Sequence, residues 1–461
     1  MNLDLRIRFY RFLSSYGMLL VLVLLCAYFS WATWTEQNPT GADAGRQLAK
    51  AISRRTQRET REVRVLIVAR DIPEDIHFAS ALRAELLKSG VSVVETVNGQ
   101  PVDARRALEK IGAAGGQVDL IAWNAAAAEW NLFADLSAFS ATRQAKVMQP
   151  ASYRWPDFLK ADNLRNVANQ IVVIAIVAIG MTMVIITGGI DLSVGSLIAL
   201  SAVISTRLIR DLAGAEQAGA VGMAIACATG IGACAAAGLC SGVIVTLLDI
   251  PAFIVTLGMM LVASGVGFIL AEGQSIYQVP DSFVWLGRGA DLFNIPNAVV
   301  LMLIAYAAGY LVMERMALGR YVYAVGGNRQ AARFSGVPLK RVLVFVYTIS
   351  GALAGLGGVI IASQLKSGAP TYGVMYELYV IAAVVVGGTS LAGGQGKILG
   401  TLIGAFIIAV IQNGMNLTGV ESYTQKVVLG LLILGAVSLD RFRRYGLELL
   451  VQRSAAGHRK P

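Results

Sequence analysis

Thr187-Gly-Gly-Ile-Asp-Leu-Ser-Val-Gly-Ser196 lies between two apolar runs, residues 171–186 and 197–204, and its reading decides the fold. Flanks of that kind put the stretch at or inside a membrane. Three glycines, two serines and one aspartate would be wasted on a helix that meets only lipid. An ionised Asp at the centre of a spanning helix costs about 2.5–3.5 kcal/mol on insertion scales, so it faces protein or water instead. Glycine lets backbones approach closely and permits a helix break whose carbonyls line a cavity. Two readings stay open. In one, the stretch is a kinked polar element beside a path through the membrane, with Asp191 either lining it or capping the helix that restarts at Leu192. In the other, Asp191 caps a turn at the cytoplasmic interface, and the stretch touches nothing that crosses.

Composition sets the class. The 461 residues are 56% hydrophobic and 15% charged, with a mean hydropathy of +0.62, far from the average of soluble domains. Cys26, Cys227, Cys234 and Cys240 fall in apolar runs without metal-ligand or disulfide spacing, so they read as small buried side chains. A net charge of +10 would suggest nucleic acid in a soluble protein. Here the basic residues flank apolar segments, where they orient helices and meet anionic membrane lipid, and no nucleic-acid partner is expected.

Working outward, Arg6, Arg8 and Arg11 precede an apolar run at 17–34, read as a retained first membrane helix. A cleaved signal is the rival, but Leu25 ahead of Cys26 suits a lipoprotein cleavage site poorly. Residues 35–160 are polar and begin with a basic, helical stretch at 46–64. Strands are expected at 63–68, 91–97 and 118–123, separated by helices carrying Phe78, Leu82 and Leu86, then Ala104, Leu108 and Ile111. That order is βαβαβ, a small three-stranded parallel sheet. Residues 103–111, running into Gly116-Gln-Val-Asp-Leu-Ile121, resemble the first lobe of periplasmic sugar-binding proteins. No second lobe follows to close on a ligand. Arg70, Asp71 and Asn124 lie at strand C-termini, where such folds bind ligands, although a docking or spacer lobe is the plainer reading.

Further spans are expected near 167–187, 193–210, 219–248, 251–271, 297–314, 341–363, 376–390, 398–416 and 425–439, ten with the first. Gly238/Gly242, Gly351/Gly355 and Gly400/Gly404 have the spacing that brings helices close in lipid. Gly188-Gly-Ile-Asp-Leu192 is weakly echoed by Gly387-Gly-Thr-Ser-Leu391. Loop 314–341 carries Arg315, Arg320, Arg329, Arg333, Lys340 and Arg341 against Glu314, and the tail adds Arg441, Arg443 and Arg444. Loop 272–296 holds Glu272, Asp281 and Asp291 against Arg288. The positive-inside rule places the first two in the cytoplasm and the third outside. Parity then puts both termini in the cytoplasm and 35–160 outside. Arg46, Lys50 and Arg54 weigh the other way at the first helix, and the later loops decide.

The expected fold is an all-α polytopic membrane protein of about ten transmembrane helices with an inserted extracytoplasmic α/β lobe. Its parts are 1–34, tail and first helix; 35–160, the lobe; 161–440, the membrane core; and 441–461, a basic tail. The chemistry is mostly negative. Gly393-Gly-Gln-Gly-Lys397 falls short of a Walker A loop, because Leu391 sits where the first glycine belongs and Ile398 replaces Ser/Thr. With His77 and scattered carboxylates there is no triad, metal cluster or paired-acid site. No catalytic residue, metal or cofactor is expected.

Two other regions stand out. Gly319-Arg-Tyr through Pro338 is a basic, amphipathic cytoplasmic loop, either a solvated interfacial helix or one that docks into a partner. Residues 376–396 form a polar-ended helix, with Glu377 in it, feeding a glycine-rich turn. Gly188–Ser196, Pro251-Ala-Phe-Ile-Val-Thr-Leu-Gly258, Gly319-Arg-Tyr, Gly326-Gly-Asn-Arg-Gln-Ala-Ala-Arg-Phe-Ser-Gly336 and Ala382-Ala-Val-Val-Val-Gly-Gly-Thr-Ser-Leu-Ala-Gly-Gly394 form one ordered series. Over about 160–445 the chain is similar to the permease subunits of bacterial monosaccharide ABC importers, the ribose/xylose/galactose type.

The resemblance implies an inner-membrane subunit that pairs with a second permease copy, two copies of a cytoplasmic ATPase and a periplasmic sugar-binding protein. It makes 326–336 the coupling helix, with Asn328, Arg329, Ala331, Ala332, Arg333, Phe334 and Gly336 gripped by the ATPase. The substrate pathway is expected at Gly189, Asp191, Ser193, Gly195 and Glu377. The lobe at 35–160 departs from such permeases, which pass from first to second helix through a short loop. The alternatives are a secondary sugar carrier, which would need coupling-ion residues beyond Asp191 and Asp249, and a membrane-bound sensor that uses the outer lobe.

Overall fold

The computed structural model describes residues 3–57, 62–133, 136–143 and 145–438; the tail with Arg441, Arg443 and Arg444 lies outside them. Two compact units are present: Trp34–Pro156, and a second built from the chain on either side of it. The first helix, α1, is Leu3–Ala32.

The smaller unit opens and closes on one ribbon. Strand β1 (Trp34–Gln37) pairs antiparallel with β6 (Tyr153–Pro156), Trp34 opposite Pro156, so the chain enters and leaves this unit at one place. Between them run α2 (Gly41–Thr56), β2 (Arg64–Arg70), α3 (Pro73–Lys88), β3 (Ser92–Gly99) and α4 (Pro101–Ala113). Then come β4 (Leu120–Trp123), α5 (Ala125–Ala128) and β5 (Lys146–Met148). The sheet order is β3-β2-β4-β5, all parallel.

Alternation along β2 divides the core. Val65, Ile67 and Ala69 pack with Leu48 and Ile52 of α2 and Phe78 and Leu82 of α3, while Leu66 and Val68 pack with Leu108 and Ile111 of α4. The βαβαβ order is present, with two differences. The sheet has a fourth strand, β5, whose three residues are too few to show alternation. The basic helix occupies 41–56 rather than 46–64, and its Gly45 packs so closely on α3 that a Cβ would meet the Phe78 carbonyl oxygen at 2.4 Å. A surface-like charge pattern thus hides one core face.

The larger unit continues with α6 (Ala161–Ile186), α7 (Val194–Asp211), α8 (Ala220–Leu247) and α9 (Ala252–Leu270). After α10 (Trp285–Arg288) come α11 (Asn297–Tyr310), extended by a π turn to Arg315, and the short α12 (Ala317–Gly327) and α13 (Arg329–Phe334). Last are α14 (Leu339–Leu365), α15 (Tyr376–Val386), α16 (Ile398–Leu417) and α17 (Ser422–Ser438). Helices α9, α11 and α14 each follow a proline, which has no N–H to leave unpaired at a helix start.

Among the described residues six helices, α6, α8, α9, α11 with its π turn, α14 and α16, are long and apolar enough to cross a membrane. The protein is a polytopic helical membrane protein. Its centre is α6, whose residues 171–186 are all buried. Polar side chains tie neighbours to it: Thr182 Oγ1 lies 2.7 Å from Thr401 Oγ1, and the Tyr306 hydroxyl donates to the Ala175 carbonyl at 2.9 Å. The small-residue pairs sit on packing faces. A Cβ on Gly238 would meet the Tyr347 carbonyl oxygen at 2.2 Å, and one on Gly404 the Ala383 carbonyl oxygen at 2.1 Å. Helix α15 stops at Val386, short of the expected 390, because the chain turns at Gly387 and Gly388.

Candidate functional site

The α6–α7 break begins as a helix end. Gly188 takes φ +80, its N–H reaches the Ile185 carbonyl at 2.9 Å, and the Gly189 N–H reaches that of Val184 at 3.1 Å. This closure uses the left-handed region glycine occupies without penalty. Asp191 follows, only 1% exposed. Its Oδ1 accepts from the Ser193 N–H (3.0 Å) and Ser193 Oγ (2.6 Å), and its Oδ2 accepts from Ser350 Oγ of α14 (2.7 Å). The carboxyl group therefore fixes the restart of α7 and fastens it to α14. Close contacts reinforce that seat. A Cβ on Gly180 would lie 2.7 Å from the Ser350 Cα, and one on Gly189 would lie 2.3 Å from the Tyr347 hydroxyl oxygen. Ser193 is likewise buried.

Gly195 faces another partner. A Cβ there would meet the Gly373 carbonyl oxygen at 2.6 Å and Glu377 Oε2 at 2.3 Å. Residues 366–375 run without helix along α7, from Gly368 beside Thr206 to Gly373 beside Gly195. Lys366 (φ 53) and Met375 (φ 69) bend the backbone at its two ends. Glu377 then sits half-buried in the first turn of α15, where the helix dipole favours a carboxylate. Val374, Met375 and Leu378 beside it are exposed. This segment leads into α15, an apolar helix of 11 residues.

The echo near Gly387 is structural, and it moves by one residue. Gly388 (φ 89), not Gly387, matches Gly188; its N–H reaches Val385 at 2.9 Å, and the Thr389 N–H reaches Val384 at 3.1 Å. The turns pack together, with the Gly394 N–H donating to the Ile186 carbonyl at 2.8 Å. Gly326 of α12 fits between them so tightly that a Cβ would fall 1.7 Å from the Ile186 oxygen. The Tyr323 hydroxyl closes the contact by donating to the Gly396 carbonyl at 2.9 Å.

Helix α13 extends from this joint. Asn328 Oδ1 accepts from the Ala331 N–H at 3.0 Å, capping the helix start, and Gly336 (φ 80) ends it. Ala332 is buried against the protein, Ala331, Arg329 and Arg333 are exposed, and Phe334 is 90% exposed. Among the described residues neither arginine makes an ion pair. A cleft of about 1200 Å³ is lined both by Gly188, Gly189 and Ile190 and by Arg329, Arg333, Lys340 and Arg341, with Asp249 as its acid. The break and the basic helix thus open on one space.

Sequence reasoning missed Ser350 and Tyr347, the anchors of Asp191 and Gly189. Their one signal was polar side chains beside Gly351, inside an otherwise apolar helix. Among the described residues no group of three His, Cys, Asp or Glu side chains could hold a metal ion. In the smaller unit, Asp75 Oδ1 in the first turn of α3 and Asn124 Nδ2 at the cap of α5 are buried without a hydrogen-bond partner.

Residues 163–437 match the family described as branched-chain amino acid transport system / permease component. The chain is 45% identical over 289 residues to the ribose import permease protein of Escherichia coli, covering 62% of this chain and 87% of that protein. It is 41% identical over 288 residues to the ribose import permease protein of Bacillus subtilis, with coverage of 62% and 87%. Against the D-allose transport system permease protein of Escherichia coli identity is 36% over 284 residues, covering 62% and 85%. No solved structure matches.

Proposed function

The chain belongs to the branched-chain amino acid transport system / permease component family, and from that premise we propose that it is the permease subunit of an ABC importer for a monosaccharide. Relatives named for ribose and allose support the substrate class. The subunit is not the enzyme; hydrolysis belongs to a separate cytoplasmic ATPase. The chain is a multi-pass protein of the inner membrane, with ten spans, both termini in the cytoplasm and the lobe outside. It works as a pair, fed by a periplasmic sugar-binding protein that the lobe assists or selects.

The observation that carries the mechanism is the cleft shared by the break and α13. The ATPase grips Asn328, Arg329, Ala331, Ala332, Arg333, Phe334 and Gly336. Its movement passes through Gly326 and Tyr323 of α12 to the turn at 393–396, and from there to the end of α6. Backbone-to-backbone contacts leave no slack in that chain, since close-packed interiors transmit displacement. Asp191 and Ser193 then carry the motion to α14 through Ser350. On this reading Asp191 holds the pathway's wall together, while Glu377 and the exposed residues beside it meet the sugar.

The test is uptake of labelled ribose and allose into proteoliposomes holding the permease with the ATPase and binding protein of the same gene cluster. ATP-dependent accumulation of one sugar is expected. Accumulation without ATP, driven by an ion gradient, would overturn the reading in favour of a secondary carrier.

A further inference from the structure

We propose that a groove between α8 and α14 holds one anionic phospholipid, its phosphate on Lys340 and Arg341 and an acyl chain along Val243, Leu247, Val344 and Phe345. The groove has a volume of about 390 Å³, and apart from Thr246 and the two cations its lining is apolar. It rests on the chain being a membrane protein, not on what the permease carries.

Charge carries the argument. Lys340 and Arg341 are exposed, and among the described residues neither makes an ion pair or a side-chain hydrogen bond. Both stand in the first turn of α14, a helix of 27 residues. That end of a helix carries partial positive charge, so cations there are disfavoured unless an anion sits beside them. Asp249 lines the larger cleft with them, but among the described residues it pairs with neither. A phosphate at the groove mouth would meet both side chains, and its acyl chain would run from there into the apolar channel. Basic pockets between helices at the cytoplasmic side suit anionic lipid headgroups for this reason.

A second copy of the chain fits less well. A two-fold contact centred on the groove would bring Lys340 and Arg341 of one protomer onto those of the other. The site also borders the sugar machinery, because both cations line the larger cleft, and Tyr347 follows Val344 by one turn. A bound lipid would steady the segment of α14 against which Gly189 packs.

The test is native mass spectrometry of the full chain in mild detergent. The probes are phosphatidylglycerol, phosphatidylcholine with the same acyl chains, and glycerol 3-phosphate as the headgroup alone. Each juxtamembrane cation strengthens anionic-lipid binding about five-fold, so Lys340→Ala with Arg341→Ala should lose roughly 20- to 30-fold of the phosphatidylglycerol adduct. Val344→Trp, which fills the groove and keeps both charges, should also lose the adduct. If the double variant does not fold, as judged by its elution and melting, Val344→Trp decides alone. Equal adducts from the two phospholipids, or adducts unchanged in Val344→Trp, would overturn the proposal. So would glycerol 3-phosphate binding as tightly as the lipid, which would mean a plain anion site. A dimer that lipid does not displace and that Val344→Trp breaks would assign the groove to a second copy instead.

Discussion

Asp191 is the residue on which the membrane unit turns, and its three contacts state what its loss would do. Asp191→Ala leaves the Ser193 N–H and two serine hydroxyls without their acceptor in a site closed to solvent. An unsatisfied buried donor costs about 1–3 kcal/mol, so the break should loosen while the surrounding helices stay packed. Uptake by Asp191→Ala should fall at least ten-fold. Asp249→Asn, which removes the charge on the cleft and keeps a side chain tolerant of its φ of 53, should stay near wild type. Equal uptake by the two variants would reduce the motif to packing. Two glycines make a second contrast. A Cβ on Gly188 meets nothing within 4 Å, so Gly188→Ala carries only the left-handed backbone cost, about 1–2 kcal/mol. Gly326→Ala would drive a methyl into the Ile186 carbonyl and must part α12 from α6. ATP-driven uptake should survive the first change and fail in the second, as measured beside the melting temperature of each.

At the scale of elements, α13 is six residues long and would not persist as an isolated helix. It holds because Asn328 caps one end, Gly336 turns the other, and buried Ala332 seats it. Its outward face then presents a bare phenylalanine beside Arg333, with Arg329 at the start of the same helix and both arginines unpaired among the described residues, an arrangement with no benefit to the free chain. Aromatic and Arg anchors dominate interfaces, each costing on the order of 2 kcal/mol or more when truncated. Phe334→Ala combined with Arg333→Ala should release the ATPase during purification and abolish uptake, with insertion of the permease unchanged. Retention of the ATPase and normal transport would make α13 a solvated surface helix.

For the whole molecule, the side of the membrane taken by Trp34–Pro156 is open to a direct measurement. The positive-inside rule, applied to the loops at 272–296 and 314–341, leads us to expect it outside. With the four native cysteines replaced, Gln100→Cys should therefore react with an impermeant maleimide in intact cells. Reaction only after permeabilisation would reverse the topology. The unit has its own sheet and two cores, with termini joined in one ribbon, so residues 34–156 can be tested alone. It has no second lobe to close, and its unpartnered Asp75 and Asn124 atoms are sealed from solvent. Calorimetric titration with a panel of monosaccharides should give no binding tighter than millimolar. Micromolar affinity would make it a receptor.

Composition and order were enough to determine the class: apolar runs set the helices, charged loops set an expected orientation, and one series of motifs set the family. Within the smaller unit, the strand-length apolar runs at 63–68, 91–97 and 118–123 and the four-residue spacing of Phe78, Leu82 and Leu86 made βαβαβ legible. The fourth strand was not, because three residues carry no period and β5 exists only through its pairing with β4. The candidate site divided the same way. Gly188, Asp191 and the basic stretch around Arg333 announced themselves as polar or flexible residues where lipid or a plain loop would not want them. That Asp191 binds Ser350, 159 positions away, depends on how α14 crosses α6, and helix crossing has no local signal. The echo of Gly188 in Gly388 was misaligned by one residue for a related reason: the letters match at Gly-Gly, but φ and hydrogen bonding decide which glycine turns the helix. Only the tertiary structure brought the break, the glycine-rich turn and α13 onto one cleft, because their approach is made by backbone against backbone, through glycines whose missing side chains leave no pattern to read.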